Sequence, residues 1–262
     1  MHTQAKRTQS PLLHTLNVVC YRALAELRAE ATRTYAGYLW WLLQPLLMFV
    51  IYYIAFNFML NFQREDFAVF LFSGIVLWQW FAVTVQRCAG SLITSQQLMQ
   101  QVNLHKSVFP FSIMLVNTVK FLVTLLILMS VLTIAGHPPG WAWLMLPIVL
   151  LIELVVIAGF GCFAAMISPF VPDFQQILIT ILHLAFFVSG VIYDLDLLPK
   201  HYRDVLGLNP MAVVIEQSRQ ILMYNTAPDF AALLLPLLIG LAMLALSLAL
   251  IHRFDKVYPK IG

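Results

Sequence analysis

Long apolar blocks alternate with short polar breaks along most of the chain. Six such blocks can be read from the sequence, at residues 38–60, 67–86, 109–135, 143–167, 175–193 and 230–251. Each is close to the roughly 20 residues that an α-helix needs to cross about 30 Å of hydrocarbon. The pattern therefore predicts an all-α membrane protein with six transmembrane helices.

The segment before the first block has a different pattern. Apolar residues recur there every three or four positions, as at Leu16, Ala23 and Leu27, with Arg22 and Glu26 beside them. A helix with this pattern is too charged to span, but it can lie at the membrane surface. We expect residues 1–35 to form a cytoplasmic N-terminus with an amphipathic interfacial helix, and residues 36–262 to form the transmembrane domain. A soluble helix packed on a partner is the alternative.

The connection between the last two blocks is too long for a turn. It mixes acidic and apolar residues, and Pro199 and Pro210 each stand where a helix could begin. We expect a re-entrant helical segment at about residues 196–224, made of two short helices that dip back toward the membrane. Such backbone is tolerated only where protein buries it or where it lines a cavity. An exposed loop with one helix is the alternative.

Composition and charge agree with a membrane environment. Hydrophobic residues make up 61% of the chain and charged residues 10%, which is too little polar surface for a soluble domain. If the six blocks span, ten Lys and Arg residues lie on one side and four on the other, with Lys120 inside a span. Basic loops stay in the cytoplasm, so we expect both termini there.

Motifs for catalysis or for nucleotide binding are missing from the sequence. No GxxxxGK[ST] pattern occurs, the seven histidines show no HExxH spacing, and Cys20, Cys88 and Cys162 lie far apart. We therefore predict no catalytic residue, no metal site and no cofactor bound by this chain, and no enzyme activity of its own. If the chain is a transporter, ATP and Mg²⁺ are bound by a separate ATPase.

Two charged residues, Lys120 and Glu153, lie near the middle of neighbouring spans. An unpaired charge at that depth is costly, by roughly 2.5–3.5 kcal/mol on insertion scales. We hypothesise that the two side chains form an intramembrane ion pair that fixes the packing of spans three and four. The alternative is that one or both face an aqueous path.

Two further features are candidates for functional contacts: the aromatic rings in the first span and the polar run after the second span. Most such rings anchor a helix at the membrane interface. Tyr52 and Tyr53 lie about 14 residues into the span, which anchoring explains less well. Contact with a sugar, whose C–H faces stack on aromatic rings, is the alternative for these deeper rings. Residues 91–106 have helical character and offer a short cytoplasmic helix to a partner. A simple solvated connection is the alternative there.

Several short motifs, in this order along the chain, resemble one family. They are Arg33-Thr-Tyr-Ala-Gly-Tyr-Leu-Trp-Trp-Leu-Leu-Gln-Pro-Leu, Lys106-Ser-Val-Phe-Pro, Ser189-Gly-Val-Ile-Tyr, Leu198-Pro199, Leu208-Asn209-Pro210-Met211 and Arg219. Together they resemble the permease subunits of type 2 ABC exporters for lipid-linked polysaccharide, such as O-antigen and capsule exporters. The chain departs from that pattern at Pro172-Asp173, where the family often has Arg-Asp, and at Ser189-Gly190, where it often has Ser-Pro.

The resemblance implies a homodimer in the bacterial inner membrane, with two copies of a cytoplasmic ATPase bound below it. It implies that the first and fifth spans line the substrate path, and the candidate residues there are Tyr38, Trp41, Tyr52, Tyr53, Phe186 and Phe187. It places the coupling helix at about 91–106 and the ATPase contacts at Gln97, Gln100, His105, Lys106 and Asp173. It makes Asn209, Pro210 and Arg219 part of an outer re-entrant cap.

The sequence thus predicts the permease half of an ATP-driven exporter that moves a polyprenyl-linked polysaccharide of O-antigen or capsule type. Its partners would be a second copy, the ATPase, the lipid-linked glycan and membrane lipid, with no nucleic acid. A permease for a drug or a non-glycan lipid is the main alternative. A membrane scaffold without transport activity is a weaker one.

Overall fold

The computed structural model describes residues 11–33, 39–59, 66–101, 104–194, 199–255 and 257–258. Most of these residues are helical, and none of them forms a β-strand. Five helices among them are long and apolar enough to cross a membrane, at Leu39–Asn57, Phe67–Thr94, Val108–Ile134, Trp141–Ile167 and Phe230–Arg253. A sixth apolar helix, Phe174–Val188, is shorter. The chain is therefore an all-α, multi-pass membrane protein.

Ten α-helices follow one another in the described residues. They are α1 (Pro11–Arg33), α2 (Leu39–Tyr53), α3 (Phe67–Thr94), α4 (Gln96–Gln101), α5 (Val108–Ile134), α6 (Leu146–Ile167), α7 (Phe174–Val188), α8 (Lys200–Leu206), α9 (Pro210–Leu222) and α10 (Phe230–Arg253). A π-helical segment, Ile54–Met59, continues α2, and a 3-10 turn, Trp141–Met145, precedes α6.

Helix α3 forms the centre of the fold. It packs against α2, α5, α6, α7 and α9, and most of its side chains are buried. Helix α10 lies along α6, where Gly159 and Gly240 let the two backbones approach closely. A Cβ atom on Gly159 would stand 2.5 Å from the carbonyl oxygen of Gly240. Small residues at such crossings allow close helix packing in lipid, where apolar burial contributes little.

The helix bounds differ from the predicted ones at two places. Helix α3 continues beyond its block to Thr94, so the separate helix after it, α4, has only 6 residues rather than the predicted 91–106. Helix α7 ends at Val188, although its block reaches residue 193. With 15 residues, α7 is about 22 Å long. It ends there because Gly190 has a φ of +66°, a left-handed conformation that cannot continue a helix.

The N-terminal segment is helical, as the apolar spacing predicts. Helix α1 packs against α5 and buries Val19 and Ala23. Leu16, Tyr21 and Leu24 remain exposed on it. One set of apolar side chains on this helix therefore packs against the protein, and another set is exposed.

On the opposite end of the molecule, α8 follows Pro199 and α9 begins at Pro210. Asn209 caps α9, because its side-chain oxygen accepts a 3.0 Å hydrogen bond from the Met211 amide. Helix α9 packs against α3, α6 and α10 and buries most of its residues, whereas α8 buries none. Of these two helices, α9 is thus packed into the fold and α8 is not.

Candidate functional site

Rings from α2, α3 and α7 form one group, which we call the aromatic cluster: Tyr52, Trp78, Phe186 and Phe187. Tyr52 stacks on Phe186 with the ring centroids 4.7 Å apart, and it meets Phe187 edge-on at 6.4 Å. Trp78 meets Phe186 edge-on at 6.1 Å. Phe187 remains 49% exposed. The structure therefore brings three of the six predicted path residues together at the contact between the first and fifth apolar segments.

The other predicted path residues lie elsewhere. Tyr53 stacks on Phe49 and Phe67, with centroids 5.5 Å and 6.2 Å away. Trp41 lies earlier in α2, about 16 Å along the helix from Tyr52, and its ring is 5.4 Å from the Lys120 ammonium. Tyr38 lies outside the described residues. The predicted path residues therefore do not form one group: Trp41 lies near the start of α2, and Tyr52 and Tyr53 lie at its end.

A second group, which we call the outer clamp, joins α9 to the end of α7. The buried Arg219 guanidinium donates to the carbonyl oxygens of Gly190 and Val191, both at 2.7 Å, and of Phe70 at 3.0 Å. It also lies 3.4 Å from the centroid of the Phe70 ring. Helix ends leave carbonyl groups without intrahelical partners, and Arg219 satisfies those that follow α7.

Asn209 completes the outer clamp from the other end of α9. Its amide nitrogen donates to the Ser189 hydroxyl at 2.9 Å and lies 3.4 Å from the Val188 carbonyl oxygen. Gly74 on α3 leaves the space that the guanidinium fills, since a Cβ there would stand 2.3 Å from Nη2 of Arg219. Both predicted cap residues with polar side chains therefore contact the end of α7, and Pro210 starts the helix between them.

The predicted ion pair between Lys120 and Glu153 is wrong. Lys120 of α5 forms an ion pair with Glu30 of α1. Glu153 is 0% exposed in α6, and its two oxygens have no hydrogen-bond partner in the described part of the chain. Lys120 thus contacts α1, whereas Glu153 is buried in α6 without forming an ion pair.

Glu30 belongs to a polar network that connects α1 to the membrane domain. Arg87 of α3 binds Glu26 at 2.5 Å and Glu30 at 2.7 Å, and it also donates to Asn117 of α5 at 2.9 Å. Burial alone would raise the pKa of Glu30, but the Lys120 ammonium and the Arg87 guanidinium outweigh it and lower that pKa. Sequence reasoning missed this network, because its members lie far apart along the chain.

The predicted ATPase contacts lie at one end of the molecule, at α4 and at the connections α4–α5 and α6–α7. Gln97, Gln100, His105 and Asp173 have exposed side chains there. Lys106 is only 3% exposed, so its ammonium is not available for contact with a partner. It donates to the Leu104 carbonyl oxygen at 3.1 Å and lies 3.8 Å from the Asp255 carboxylate.

The residues after α10 contact both of these connections, and we call this group the C-terminal clasp: Lys106, Phe170, Asp255 and Tyr258. Tyr258 is buried, and its hydroxyl is 3.4 Å from the Met166 carbonyl oxygen at the end of α6. Its ring meets Phe170 edge-on at 5.4 Å. Burial and the nearby Asp255 carboxylate raise the pKa of Tyr258 to about 12. Sequence reasoning missed this contact, because its members lie far apart along the chain.

The described residues bring no three potential metal ligands together. The three cysteines are free, and two of them, Cys88 and Cys162, are buried in α3 and α6. The four groups described above are the aromatic cluster, the outer clamp, the α1 network and the C-terminal clasp. Each is a set of contacts between helices or between a helix and a connection.

Comparison with known proteins gives consistent matches. Residues 104–223 match the family model of the ABC-2 type transporter. An O-antigen export system permease protein, RfbA, of Klebsiella pneumoniae is 24% identical over 237 residues, which cover 90% of this chain and 91% of the relative. RfbA of Myxococcus xanthus is 26% identical over 235 residues, covering 89% and 88%. The polysialic acid transport protein KpsM of Escherichia coli is 25% identical over 234 residues, covering 84% and 89%.

Proposed function

We propose that this chain, which carries an ABC-2 transporter permease domain, is the membrane half of an ATP-driven exporter for a polyprenyl-linked polysaccharide. The observation that carries the proposal is the similarity to an O-antigen export permease over 90% of this chain and 91% of that protein. ABC-2 permeases work with a separate ATPase subunit, so ATP and Mg²⁺ are bound there. The polymer is of the O-antigen or capsule type that the relatives' names describe.

Two copies form the path in this proposal, with α2 and α7 of each copy lining it. The exposed residues Ile177, Ile181, Leu184 and Val188 form an apolar stripe along α7, and α7 packs on few other helices of its own chain. That stripe suits a second copy. Rings such as Phe187 suit a glycan, because sugar C–H faces stack on aromatic surfaces.

The membrane layout follows from the charge distribution. Six segments cross the bacterial inner membrane, with both termini in the cytoplasm. Helix α1 lies at the cytoplasmic interface, where the lipid covers its exposed Leu16, Tyr21 and Leu24. Helices α8 and α9 form the re-entrant cap on the outer side, and the outer clamp ties α9 to the shortened α7.

The ATPase binds at the cytoplasmic end through the exposed Gln97, Gln100, His105 and Asp173. Lys106 contributes by holding the C-terminal clasp, which keeps the α4–α5 and α6–α7 connections in fixed relation. ATP hydrolysis then moves both connections together and opens the path between α2 and α7. The chain by itself hydrolyses no ATP.

Complementation of export tests the function. The chain, expressed with the ATPase encoded beside it in a strain that lacks its own polysaccharide permease, should restore the glycan at the cell surface. Tyr52→Ala should lower the surface glycan at least tenfold, while Tyr21→Ala, on the exposed face of α1, should leave it unchanged. Restored drug resistance without surface glycan would refute the proposal.

A further inference from the structure

A cavity of about 390 Å³ lies between α1, α2, α3 and α5, apart from the aromatic cluster. Its polar lining includes Glu30, Gln44, Arg87, Asn117 and Lys120. Trp40, Trp41 and Trp80 supply aromatic walls. The cavity lies beside α1, at the end of the membrane domain where α2 begins. In the proposed layout, that position opens to the cytoplasmic leaflet.

Two buried N–H donors in this lining have no hydrogen-bond partner in the described part of the chain: Nε1 of Trp80 and Nδ2 of Asn117. Both side chains are only 5% exposed. The Asn117 oxygen is already held by Arg87 at 2.9 Å, which leaves the amide nitrogen as the available group. Buried donors are nearly always satisfied. Both residues line the cavity, so a small movement of each side chain would let its donor reach a ligand with acceptor oxygens.

The charges in the lining favour the same ligand. Lys120 and Arg87 contribute two cations, and Glu30 contributes one carboxylate that both of them contact. Glu26 also binds Arg87 from outside the lining, so two cations and two carboxylates balance in this cluster. The ammonium and guanidinium groups nevertheless give the lining N–H donors that an anionic acceptor can use. A phosphate group is an anion that only accepts hydrogen bonds, and such charge-assisted bonds are the stronger ones.

Apolar surface continues from the cavity along two helices. Leu47 and Ile51 lie on the same face of α2 as Gln44, and both are exposed. Val123 lies one turn beyond Lys120 on α5 and is also exposed. A hydrocarbon chain attached to a group in the cavity could therefore lie along α2 and α5 in lipid.

We propose that this cavity binds the phosphate-bearing head group of a membrane lipid, with its chain along α2 and α5. Lys120 supplies the charge, and Trp80 and Asn117 donate hydrogen bonds to the phosphate oxygens. The site rests on the proposed function in one respect, since a lipid-linked substrate is one source of such a head group. The other source is a phospholipid of the bilayer.

Binding to the purified permease–ATPase complex in maltoside micelles, which contain no phosphate, tests the site. Radiolabelled polyprenyl phosphate is the probe, and unlabelled polyprenyl phosphate, polyprenol of the same length and phosphatidic acid are the competitors. Polyprenol should compete at least tenfold more weakly than polyprenyl phosphate. Lys120→Met should weaken binding of the probe by about tenfold and Trp80→Phe by about threefold.

Matched controls separate binding from folding. Trp80→Phe keeps an aromatic ring against Phe121, whose centroid is 4.0 Å from that of Trp80, and it removes the N–H donor with a modest loss of buried volume. Trp141→Phe and Lys200→Met change exposed residues away from the cavity and should bind the probe like the wild type. Thermal unfolding of Trp80→Phe and Lys120→Met should show one cooperative transition above the temperature of the binding assay, so that weaker binding is not caused by unfolding.

Each outcome decides the proposal. Equal competition by phosphatidic acid and polyprenyl phosphate supports the head-group site and assigns it to bilayer phospholipid, whereas weaker competition by phosphatidic acid supports the carrier lipid. Polyprenol that competes as well as polyprenyl phosphate overturns the proposal. So does unchanged probe binding in both Lys120→Met and Trp80→Phe. Because binding is measured without transport, failed glycan export would refute the proposed function and leave this result intact.

Discussion

Replacing Gly74 by alanine should destabilise the protein through the outer clamp. The added Cβ would stand 2.3 Å from Nη2 of Arg219 and 3.0 Å from the Val191 carbonyl oxygen. The guanidinium must move, which breaks the Nη2 bonds to Phe70 at 3.0 Å and to Val191 at 2.7 Å. Hydrogen bonds to charged groups contribute about 1.5–3 kcal/mol each, so the loss amounts to about 3–6 kcal/mol.

Helix propensity acts in the opposite direction at this position. Alanine is favoured over glycine by about 0.8–1 kcal/mol inside a helix, so the net destabilisation should be about 2–5 kcal/mol. At about 2–4 °C per kcal/mol, the melting temperature should fall by roughly 4–20 °C. The sign of the change is therefore diagnostic, since propensity alone would raise the melting temperature.

Thermal unfolding of the purified complex, with two companion variants, provides the assay. Gly90→Ala lies on the same helix, and its Cβ would meet nothing nearer than Gln175 at 3.8 Å, so it should not lower the melting temperature. In an Arg219→Met background, Gly74→Ala should cost far less, because the group it displaces is gone. A Gly74→Ala protein as stable as Gly90→Ala would refute the clamp.

Three further predictions concern helix packing, Glu153 and the C-terminal clasp. Gly159→Ala should sharply reduce the fraction of protein that elutes as a folded complex in size-exclusion chromatography, because its Cβ meets backbone of α10 at 2.5 Å; normal elution would contradict this contact. Glu153 is 0% exposed and its carboxyl has no partner in the described residues, so it fits its site as a neutral acid. The neutral Glu153→Gln should therefore change the melting temperature little, and the charged Glu153→Lys should abolish folding. A strongly unstable Gln variant would indicate a charged carboxylate. Since the pKa of Tyr258 is about 12 in the folded state against an ordinary 10, the clasp should weaken as pH rises from 10 to 12. Tyr258→Phe should remove that step from a tyrosinate absorbance titration, and an unchanged titration would contradict it.

Spans were predictable from the sequence because lipid imposes one simple requirement. Every backbone group in the hydrocarbon must be paired within a helix, and the helix must be long and apolar. The blocks at 109–135 and 230–251 accordingly agree with α5 and α10 within two residues. The fifth block was predicted too long, because apolar residues continue past the left-handed Gly190, where α7 has already ended.

Partners of polar groups were less predictable than spans. The positions of Lys120 and Glu153 along their helices predict how deep each residue lies in the membrane. The direction in which each side chain points depends instead on how the helices are rotated about their axes. Glu30 reaches Lys120 only because α1 packs against α5, a contact between segments far apart in sequence. The same holds for Lys106 and Asp255, which the fold brings together at the end of the molecule where α4 lies.

Arg219 was predicted as part of the cap, although its role was not. A basic residue on a mostly apolar outer helix has no obvious partner in the sequence. In the structure its partners are backbone carbonyl oxygens. Two of them, of Gly190 and Val191, follow the end of α7, and the third, of Phe70, belongs to α3. The outer clamp and the C-terminal clasp therefore hold opposite ends of the molecule, with the aromatic cluster next to the clamped end of α7.

Photo-cross-linking during export tests most directly whether the polymer passes between α2 and α7. A photoreactive residue replaces Phe187, which is 49% exposed, or, as a control, Leu238 of α10, which is 62% exposed. In cells that export the glycan with the ATPase, the residue at 187 should form glycan adducts that disappear when the ATPase is inactive, and the residue at 238 should form none. Active export without adducts at 187, or equal adducts at both positions, would contradict a path along α2 and α7.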